Sequence, residues 1–472
     1  PLSDDTLLYM GRPFKEWAAA CGIDIEAIDG KEDLQSARIF PVCQTIDEAG
    51  LLLRWMLNGD QAISDEDFCK AKALWEECRK LSADDISAEA DLVRLSMQRN
   101  EYRAKNWSAI AKNWHHSVFY QVDLCDAAKE FSLYDIPTPS PIGDEAPLLT
   151  RIHDNMFRSE LARLRSDSEE AARSEEAAFA LLRQGLIAPQ AAIKQHPQMS
   201  VYADQIVWAR SPVRIDIAGG WTDTPPYCLM EGGKVINLAI ELNGQPPLQT
   251  YIRPCKEPHV ILRSIDLGAS EVINTYEELA DFRHVGSPFS IPKAALALAG
   301  FLPAYAVEQH ATLKEQLEGF GCGIELTLLS AIPAGSGLGT SSVLAATVLG
   351  ALNDFCGLSW DKSEIGRRTS ALEQMLTTGG GWQDQFGGVL EGVKMLQTER
   401  GFDQNPTVRW LPGDLFTRNE YKACHLLYYT GITRTAKTIL AEIVRRMFLN
   451  HSGELSMLRD MKCHTEDMYD AI

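Results

Sequence analysis

The sequence has no run of about 20 apolar residues that could span a bilayer. The closest stretch, IPKAALALAGFLPAYAV (291–307), contains one lysine and two prolines. The first residues also lack the charged and apolar regions of a signal peptide. We therefore expect no membrane partner and a cytoplasmic location.

Paired cysteines are missing as well. The eleven cysteines are odd in number and scattered, without a CxxC pair, and the ten histidines show no HxxxH or HExxH spacing. This usage is typical of a reducing compartment, and it argues against a disulfide framework and against structural zinc.

Positive charge is also scarce, because 45 lysines and arginines stand against 65 acidic residues, for a net charge of −20. No basic face with interleaved aromatic residues is present, so a nucleic acid is not expected as a partner. An acidic protein that binds phosphates must use local devices, namely backbone amides, one or two basic side chains and a metal ion.

The length of 472 residues predicts two or three domains. Residues 1–200 read as a mainly helical connector or scaffold domain. Ser64 and Asp67 have capping-box spacing at the start of one helix, a charged helix is predicted over about 150–184, and GLIAPQ (185–190) is typical of a helix stop.

The composition changes near residue 200, and residues 201–472 alternate between strand and helix patterns. QIVWARSPVRIDIAGG (205–220) alternates like one strand, and YKACHLLYY (421–429) predicts a strand before a turn and a helix. Residues 322–357 read as a strand, a glycine loop and a helix. Together these patterns predict an α+β fold for the second part.

The glycine loop PAGSGLGTSS (333–342) is the most informative stretch. Glycines let the backbone approach a ligand closely, and the first amides of the following helix point outward without partners, which makes an anion site. The alternative is a glycine-rich turn with hydroxyl caps. The loop is neither a Walker A motif, since no GK[ST] follows, nor a GxGxxG fingerprint. The candidate nucleotide-binding residues are Gly335, Ser336, Gly337, Leu338, Gly339, Thr340, Ser341 and Ser342.

Charged residues in three other segments strengthen the functional interpretation. Asp384 lies among glycines in GGGWQDQFGG, and Glu373 precedes it by eleven residues on a predicted helix. Phosphoryl transfer uses one carboxylate near magnesium and one near the acceptor hydroxyl. Arg214 and Asp223 come from SPVRIDIAGGWTDTPP. Their alternatives are an Arg214–Asp216 ion pair at a strand edge and an Asx turn before a proline.

SPVRIDIAGGWTDTPP, PAGSGLGTSS and GGGWQDQFGG resemble, in order and spacing, the motifs of the GHMP kinases, which phosphorylate small molecules. The resemblance covers about residues 205–472. GGWTDTPP, GGWQDQFGG and YYTGITRTAK are similar to the sugar branch that contains L-fucokinases and heptose-phosphate kinases. MGRPFKEW and DLQSARIFPV resemble the connector of bifunctional L-fucokinase/GDP-fucose pyrophosphorylases.

The resemblance implies a two-lobed GHMP kinase fold that uses ATP and Mg²⁺. The glycines of the loop would hold the nucleotide phosphates, and Thr340 or Ser341 would bind magnesium together with Glu373. Asp384 would orient or deprotonate the acceptor hydroxyl, and Arg214 would steady Asp384 and the migrating phosphoryl group.

The same resemblance implies a sugar site. Asp223 would bind ring hydroxyls, and Trp221 or Tyr227 would form an apolar wall. The remaining sugar candidates are Thr222, Gly381 and Arg434.

The family's third motif, a glycine cluster near the C-terminus, does not occur in these 472 residues, so we expect the kinase domain to be incomplete at that end. The implied activity is ATP-dependent phosphorylation of L-fucose at the anomeric hydroxyl, for GDP-fucose salvage, with a fused nucleotidyltransferase as a candidate partner domain. The alternatives are a heptose-phosphate kinase or galactokinase, an inert sugar-sensing pseudokinase, and a structural module. The sequence leaves homo-oligomerisation open.

Overall fold

The computed structural model describes residues 1–9, 12–58, 63–284, 286–333, 335–376, 380–428 and 436–472. Contacts between residues divide the chain into two compact units, Pro1–Lys105 and Asn106–Ile472. None of the helices in the described ranges is long and apolar enough to cross a membrane.

The first unit consists of short helices and two small antiparallel sheets, in which β1 pairs with β2 and β3 with β4. Its core contains two fully buried tryptophans, Trp17 and Trp55. The Oγ of Ser64 accepts a hydrogen bond of 3.1 Å from the Asp67 amide, which confirms the predicted helix start. In chain order its elements are β1 (Leu8–Tyr9), β2 (Arg12–Pro13), α1 (Phe14–Cys21), β3 (Phe40–Pro41), α2 (Ile46–Asn58), α3 (Asp65–Glu77), β4 (Lys80–Leu81), α4 (Ala83–Glu89) and the start of α5 (Leu92–Lys112).

The second unit begins with three helices, α6 (Leu124–Leu133), α7 (Leu148–Leu164) and α8 (Ser168–Ala191). The single charged helix predicted over 150–184 is in fact two helices, since a turn with Ser166 at φ 63° separates α7 from α8. The predicted stop at GLIAPQ is wrong, because α8 continues through Gly185. A helical glycine costs about 1 kcal/mol relative to alanine, but here its bare backbone allows close packing of Leu148 and Phe402.

These three helices share a hydrophobic core with later parts of the unit. Phe131, Phe157 and Leu182 pack with Leu229 and Phe448. The domain boundary predicted near residue 200 therefore lies inside a compact unit, because burial joins α6–α8 to the following segments. Whether residues 1–200 act as a functional connector stays a prediction.

The rest of the unit contains two sheets and the helices that cover them. In chain order its elements are β5 (Val207–Ser211), β6 (Val213–Ala218), α9 (Tyr227–Glu231), β7 (Lys234–Ile240), β8 (Leu248–Cys255), β9 (Val260–Ser264), β10 (Ala269–Ile273), α10 (Tyr276–Ala280), α11 (Ser290–Leu296), α12 (Leu313–Phe320), β11 (Gly323–Ser330), α13 (Thr340–Cys356), α14 (Lys362–Leu376), α15 (Gln383–Val389), β12 (Val393–Gln397), β13 (Thr407–Leu411), α16 (Asp414–Thr417), α17 (Asn419–Lys422), α18 (Ala436–Phe448) and α19 (Ser452–Ala471).

The five-stranded sheet has the order β10-β9-β11-β8-β5, and only its β9/β11 pair is parallel. The four-stranded sheet has the order β13-β12-β7-β6 and is antiparallel throughout. The single strand predicted for residues 205–220 is two strands in different sheets. Pro212 separates them, because proline has no amide hydrogen for a ladder. Two mainly antiparallel sheets, covered by helices, confirm the predicted α+β class.

Helix α13 lies against β5 and β8, and α14 and α15 pack beside it. The strand predicted for residues 421–429 is wrong where the structure describes it, since 423–428 are neither strand nor helix. A strand needs a pairing neighbour, and residues 423–428 pair with none of the described strands. Residues 429–435, including Arg434, lie outside the described residues.

The shared core yields a test of the boundary. A chain that starts at Asn106 should unfold cooperatively, whereas a chain that starts at Val201 should expose the apolar partners of α6–α8 and aggregate or lose its transition. Circular dichroism on heating compares the two with the full chain. Equal stability of the two truncated chains would place the structural boundary near residue 200 after all.

Candidate active site

The glycine loop connects β11 to α13, as the sequence predicts. Gly335, Gly337 and Gly339 have φ values of 75°, 80° and 73°, a left-handed conformation that favours glycine at each position. A Cβ atom added to Gly337 would meet no atom within 4 Å. The backbone of the loop therefore borders open space in which a ligand can approach it.

The first turn of α13 provides donors next to that space. The amides of the first residues of a helix have no partner within the helix, and no side chain caps this end at Gly339. The helix is 17 residues long, so its dipole adds partial positive charge at the same place. The arrangement has the chemistry of an anion site.

Arg214 and Asp384 form an ion pair directly beside the loop. On β6, the Arg214 guanidinium donates to Asp384 Oδ1 at the start of α15, and it also contacts Asp216 at 2.9 Å and the Gly337 carbonyl at 3.2 Å. A Cβ atom on Gly339 would lie 3.2 Å from the Asp384 carboxyl carbon. The structure thus brings together three parts of the chain that the sequence singles out.

Burial and charge both act on this cluster. Burial acts to lower the pKa of Arg214, but the charges of Asp384 and Asp216 outweigh it and the pKa is raised. Burial raises the pKa of Asp216 to about 6, although the nearby Arg214 charge opposes the rise. The arginine is therefore a fixed cation beside Asp216, a carboxyl group that burial makes costly to ionise.

Glu373, on α14, lies next to the first turn of α13. Its Oε2 accepts a hydrogen bond of 2.9 Å from Ser342 Oγ and another from Gln385 Nε2. Burial, followed by the charge of Asp384, raises the pKa of Glu373 to about 7. The hydroxyl beside this carboxylate belongs to Ser342, whereas the Thr340 hydroxyl lies 3.3 Å from that of Ser336 and Ser341 is exposed.

Asp223 is fully buried in the turn between β6 and α9. Its Oδ2 accepts a hydrogen bond of 2.8 Å from the Gln383 amide, next to Asp384. Gly381 passes so close that any side chain there would overlap the Asp223 carboxylate. Burial raises the pKa of Asp223 to about 7.

The other predicted sugar residues have structural partners. The Thr222 hydroxyl is buried within 2.7 Å of the Gly219 carbonyl and 2.8 Å of the Lys234 carbonyl, so it fixes the turn. Trp221 and Tyr227, the predicted apolar wall, belong to a hydrophobic cluster with side chains of α18 and α19. Tyr227 is fully buried in that cluster.

Sequence reasoning missed Lys394 and Asn237. Asp216, Asn237 and Lys394 are register partners on β6, β7 and β12, so they form one row across the sheet. The buried Lys394 Nζ donates to the Gly387 carbonyl at 3.0 Å, and burial lowers its pKa to about 7. A lysine between Val393 and Met395 in a short apolar strand was the signal available in the sequence.

Buried acceptor oxygens without a hydrogen-bond donor collect around this site. Each is surrounded by protein, and an unpaired buried acceptor costs about 1–3 kcal/mol. Within the described part of the chain they include Asp216 Oδ1, Asp223 Oδ1, Gln374 Oε1, Gln383 Oε1 and Gln385 Oε1. A ligand rich in O–H donors would satisfy such a set.

Residues 304–392 match the family described as GHMP kinases N terminal domain. The whole chain is 57% identical to the L-fucokinase/L-fucose-1-P guanylyltransferase of Bacteroides fragilis and covers 49% of that protein. Over 88% of its length it is 26% identical to the bifunctional fucokinase/GDP-fucose pyrophosphorylase of Arabidopsis thaliana, of which it covers 40%.

The chain thus spans less than half the length of each of these two relatives. Over 49% of its residues it is also 26% identical to the D-glycero-alpha-D-manno-heptose 7-phosphate kinase of Campylobacter jejuni, of which it covers 61%.

The buried carboxyl of Asp223 predicts a stability effect that depends on pH. Its folded-state pKa is raised from 3.8 to about 7, so the stabilisation from proton binding is complete below pH 4 and is lost as pH rises through 7. Asp223→Asn keeps an acceptor for the Gln383 amide but carries no charge. Its gain in Tm over the parent should be larger at pH 8 than at pH 5, by at least about 2 °C.

Differential scanning fluorimetry at the two pH values measures this effect. Asp204→Asn, at an exposed position, is the control and should differ from the parent equally at both pH values. A gain for Asp223→Asn that does not grow with pH would show that the Asp223 carboxyl is not destabilised by burial.

Proposed function

We propose that this chain, which carries a GHMP kinase N-terminal domain over residues 304–392, is an ATP-dependent sugar kinase that converts L-fucose to L-fucose 1-phosphate in the cytoplasm. The observation that carries the proposal is the Arg214–Asp384 pair beside the open glycine loop. We assign the kinase step alone to these residues and expect the guanylyltransferase named for the Bacteroides fragilis relative in a fused domain.

The nucleotide side of the site is the loop and the start of α13. Backbone amides of Gly335, Gly337 and Gly339 and the first amides of the helix would donate to the phosphate oxygens of ATP. The acidic protein needs such neutral donors, because a net charge of −20 repels a nucleotide at a distance. Thr340 and Ser341 would add hydroxyl donors.

The residues present fit a magnesium ion. The Glu373 carboxylate and the Ser342 hydroxyl, 2.9 Å apart, are hard oxygen ligands next to the expected phosphates. Within the described ranges no group of three His, Cys, Asp or Glu side chains could hold a metal by itself, so the nucleotide and water would complete the coordination. When bound, the ion would neutralise charge on the transferring phosphoryl group. Ser342 replaces Thr340 and Ser341 as the proposed hydroxyl ligand.

Asp384 would act on the acceptor. The anomeric oxygen of the sugar attacks the γ-phosphorus, the bond to the leaving ADP oxygen breaks, and the hydroxyl proton passes to or is oriented by the Asp384 carboxylate. Arg214 keeps that carboxylate in place and presents positive charge toward the loop. Its contact with the Gly337 carbonyl ties the acceptor side to the nucleotide side.

The acceptor should be a neutral sugar. The unpaired oxygens of Asp223, Gln374 and Gln383 need donors, and ring hydroxyls supply them. Gly381, just before α15, leaves room for the Asp223 carboxylate, and Thr222 fixes the backbone of the turn that carries Asp223. L-Fucose meets this demand and adds an apolar methyl group.

A heptose 7-phosphate is the competing acceptor, and the charges disfavour it. Its phosphate would need a free cationic group, whereas carboxylates dominate the site. The first base after the turn, Lys234, is paired with Glu466 at 2.5 Å, and Arg367, near residues 380–382, is paired with Glu364 at 2.7 Å. D-Galactose has a hydroxymethyl group where L-fucose has a methyl, and its ring carbons have the mirror-image configuration. A pseudokinase is disfavoured because a sensor has no use for the Arg214–Asp384 pair.

Asp384→Asn tests the chemical step. The change is nearly isosteric but removes the charge that accepts or orients the proton, a contribution of about 10²–10⁴-fold. We expect kcat for L-fucose to fall by at least 100-fold while the Kd for ATP measured by calorimetry changes little. The proposal is falsified if the variant turns over within about threefold of the parent.

Gly337→Val tests the loop. Valine at φ 80° is strained and would occupy the open space where phosphates approach. We expect calorimetric titration to detect no binding of Mg-ATP, while the folded state persists in circular dichroism. Unchanged affinity in a folded variant would mean that the loop is only a turn.

A further inference from the structure

A small pocket of about 60 Å³ lies on the side of residues 380–382 that faces α8 and α14. A cavity of this size admits a few groups the size of a water molecule, so it can hold one edge of a sugar ring but not a whole small molecule. Its lining includes Gly380 and Gly381 from the segment before Asp384, and Leu186 from α8. Of the described residues that the sequence predicts to bind the sugar, Gly381 lines the pocket and the others do not.

One wall of the pocket is apolar. Leu186, Trp382 and Phe402 contribute side chains to it, together with Pro225. Phe402 reaches this place because Gly185 has no side chain: a Cβ atom there would lie 2.6 Å from Phe402 Cε1. Gly185, inside α8, therefore leaves the space that the Phe402 ring occupies beside the pocket.

The other wall is polar, and one of its atoms needs a donor. Gln374 is 4% exposed, and its Nε2 donates to the Gly380 carbonyl at 3.1 Å. A carbonyl can only accept, so this bond fixes the orientation of the amide. Its Oε1 is left as a buried acceptor that has no partner among the described residues.

The pocket and the proposed catalytic site share the glycines that line the pocket. The space that a side chain of Gly381 would need is taken by the Asp223 carboxylate, and a Cβ atom on Gly380 would lie 2.6 Å from Glu373 Oε1. The pocket lining is therefore in contact with two of the carboxylates of that site.

We propose that this pocket binds the apolar edge of the acceptor sugar, with its methyl against Leu186, Trp382 and Phe402 and a ring hydroxyl donating to Gln374. Helix α8, in the part of the chain expected to be a connector, is then a specificity element of the kinase. The inference rests on the proposed function and replaces the wall predicted at Trp221 and Tyr227, which pack elsewhere.

Leu186→Ala is the decisive variant, and Leu181→Ala is its matched control. Both leucines are half-buried on α8 against the same hydrophobic cluster, but only Leu186 lines the pocket. The acceptors are L-fucose and D-arabinose, which is L-fucose without its methyl group. An apolar contact with one methyl discriminates by about 10–200-fold.

For Leu186→Ala the ratio of kcat/KM for L-fucose to that for D-arabinose should fall by about fivefold or more, and Phe402→Leu should lower it in the same direction. Leu181→Ala should leave the ratio within about twofold of the parent. A partial loss of folding lowers kcat/KM for both sugars equally, so it does not change the ratio. An unchanged ratio in both pocket variants would overturn the inference while leaving the kinase assignment intact.

Equilibrium dialysis with radiolabelled L-fucose tests the pocket without turnover. The Kd should rise for Leu186→Ala and for Gln374→Leu, and not for Leu181→Ala. If the parent phosphorylates no sugar, the proposed function fails, and the dialysis still decides the pocket. Equal Kd values for the parent and the two pocket variants, or no binding to the parent, would contradict the inference.

Discussion

The ion pair between Arg214 and Asp384 is the constraint around which the site is built. It joins β6, the glycine loop and the first turn of α15, which lie far apart in the sequence. A buried pair must offset the cost of removing both charges from water, and the loss of one partner leaves the other uncompensated. The geometry of the loop and the position of the proposed base therefore depend on each other.

The surroundings of this pair are unfavourable for stability. Asp216, Asp223 and Glu373 all have raised pKa values, caused first by burial, in a part of the protein that has few cations. Lys394 is one of these cations. It lies on β12 at the end of the Asp216–Asn237–Lys394 row and donates to the carbonyl of Gly387 on α15. A cluster of this kind is typical of functional sites, where stability is lost for the sake of a reactive arrangement.

The sequence predicts the parts of this site that local pattern determines. Glycines at Gly335, Gly337 and Gly339 and a helix after them need only local rules, whereas the relation of Arg214 to Asp384 is implied by the resemblance to the GHMP kinases. Contacts between distant segments are beyond such rules. Lys394, the packing of Leu186 beside Phe402 and the extension of α8 through Gly185 all arise from tertiary burial, which outweighs local propensity.

The assignment of this chain as an L-fucose kinase is tested most directly by comparing acceptor sugars. ADP release with L-fucose, D-arabinose, D-galactose and D-glycero-D-manno-heptose 7-phosphate gives kcat/KM for each. The account predicts the highest value for L-fucose, a low but detectable one for D-arabinose, and a lower one for galactose. A clear preference for the heptose phosphate would contradict the assignment and leave only a kinase of this fold.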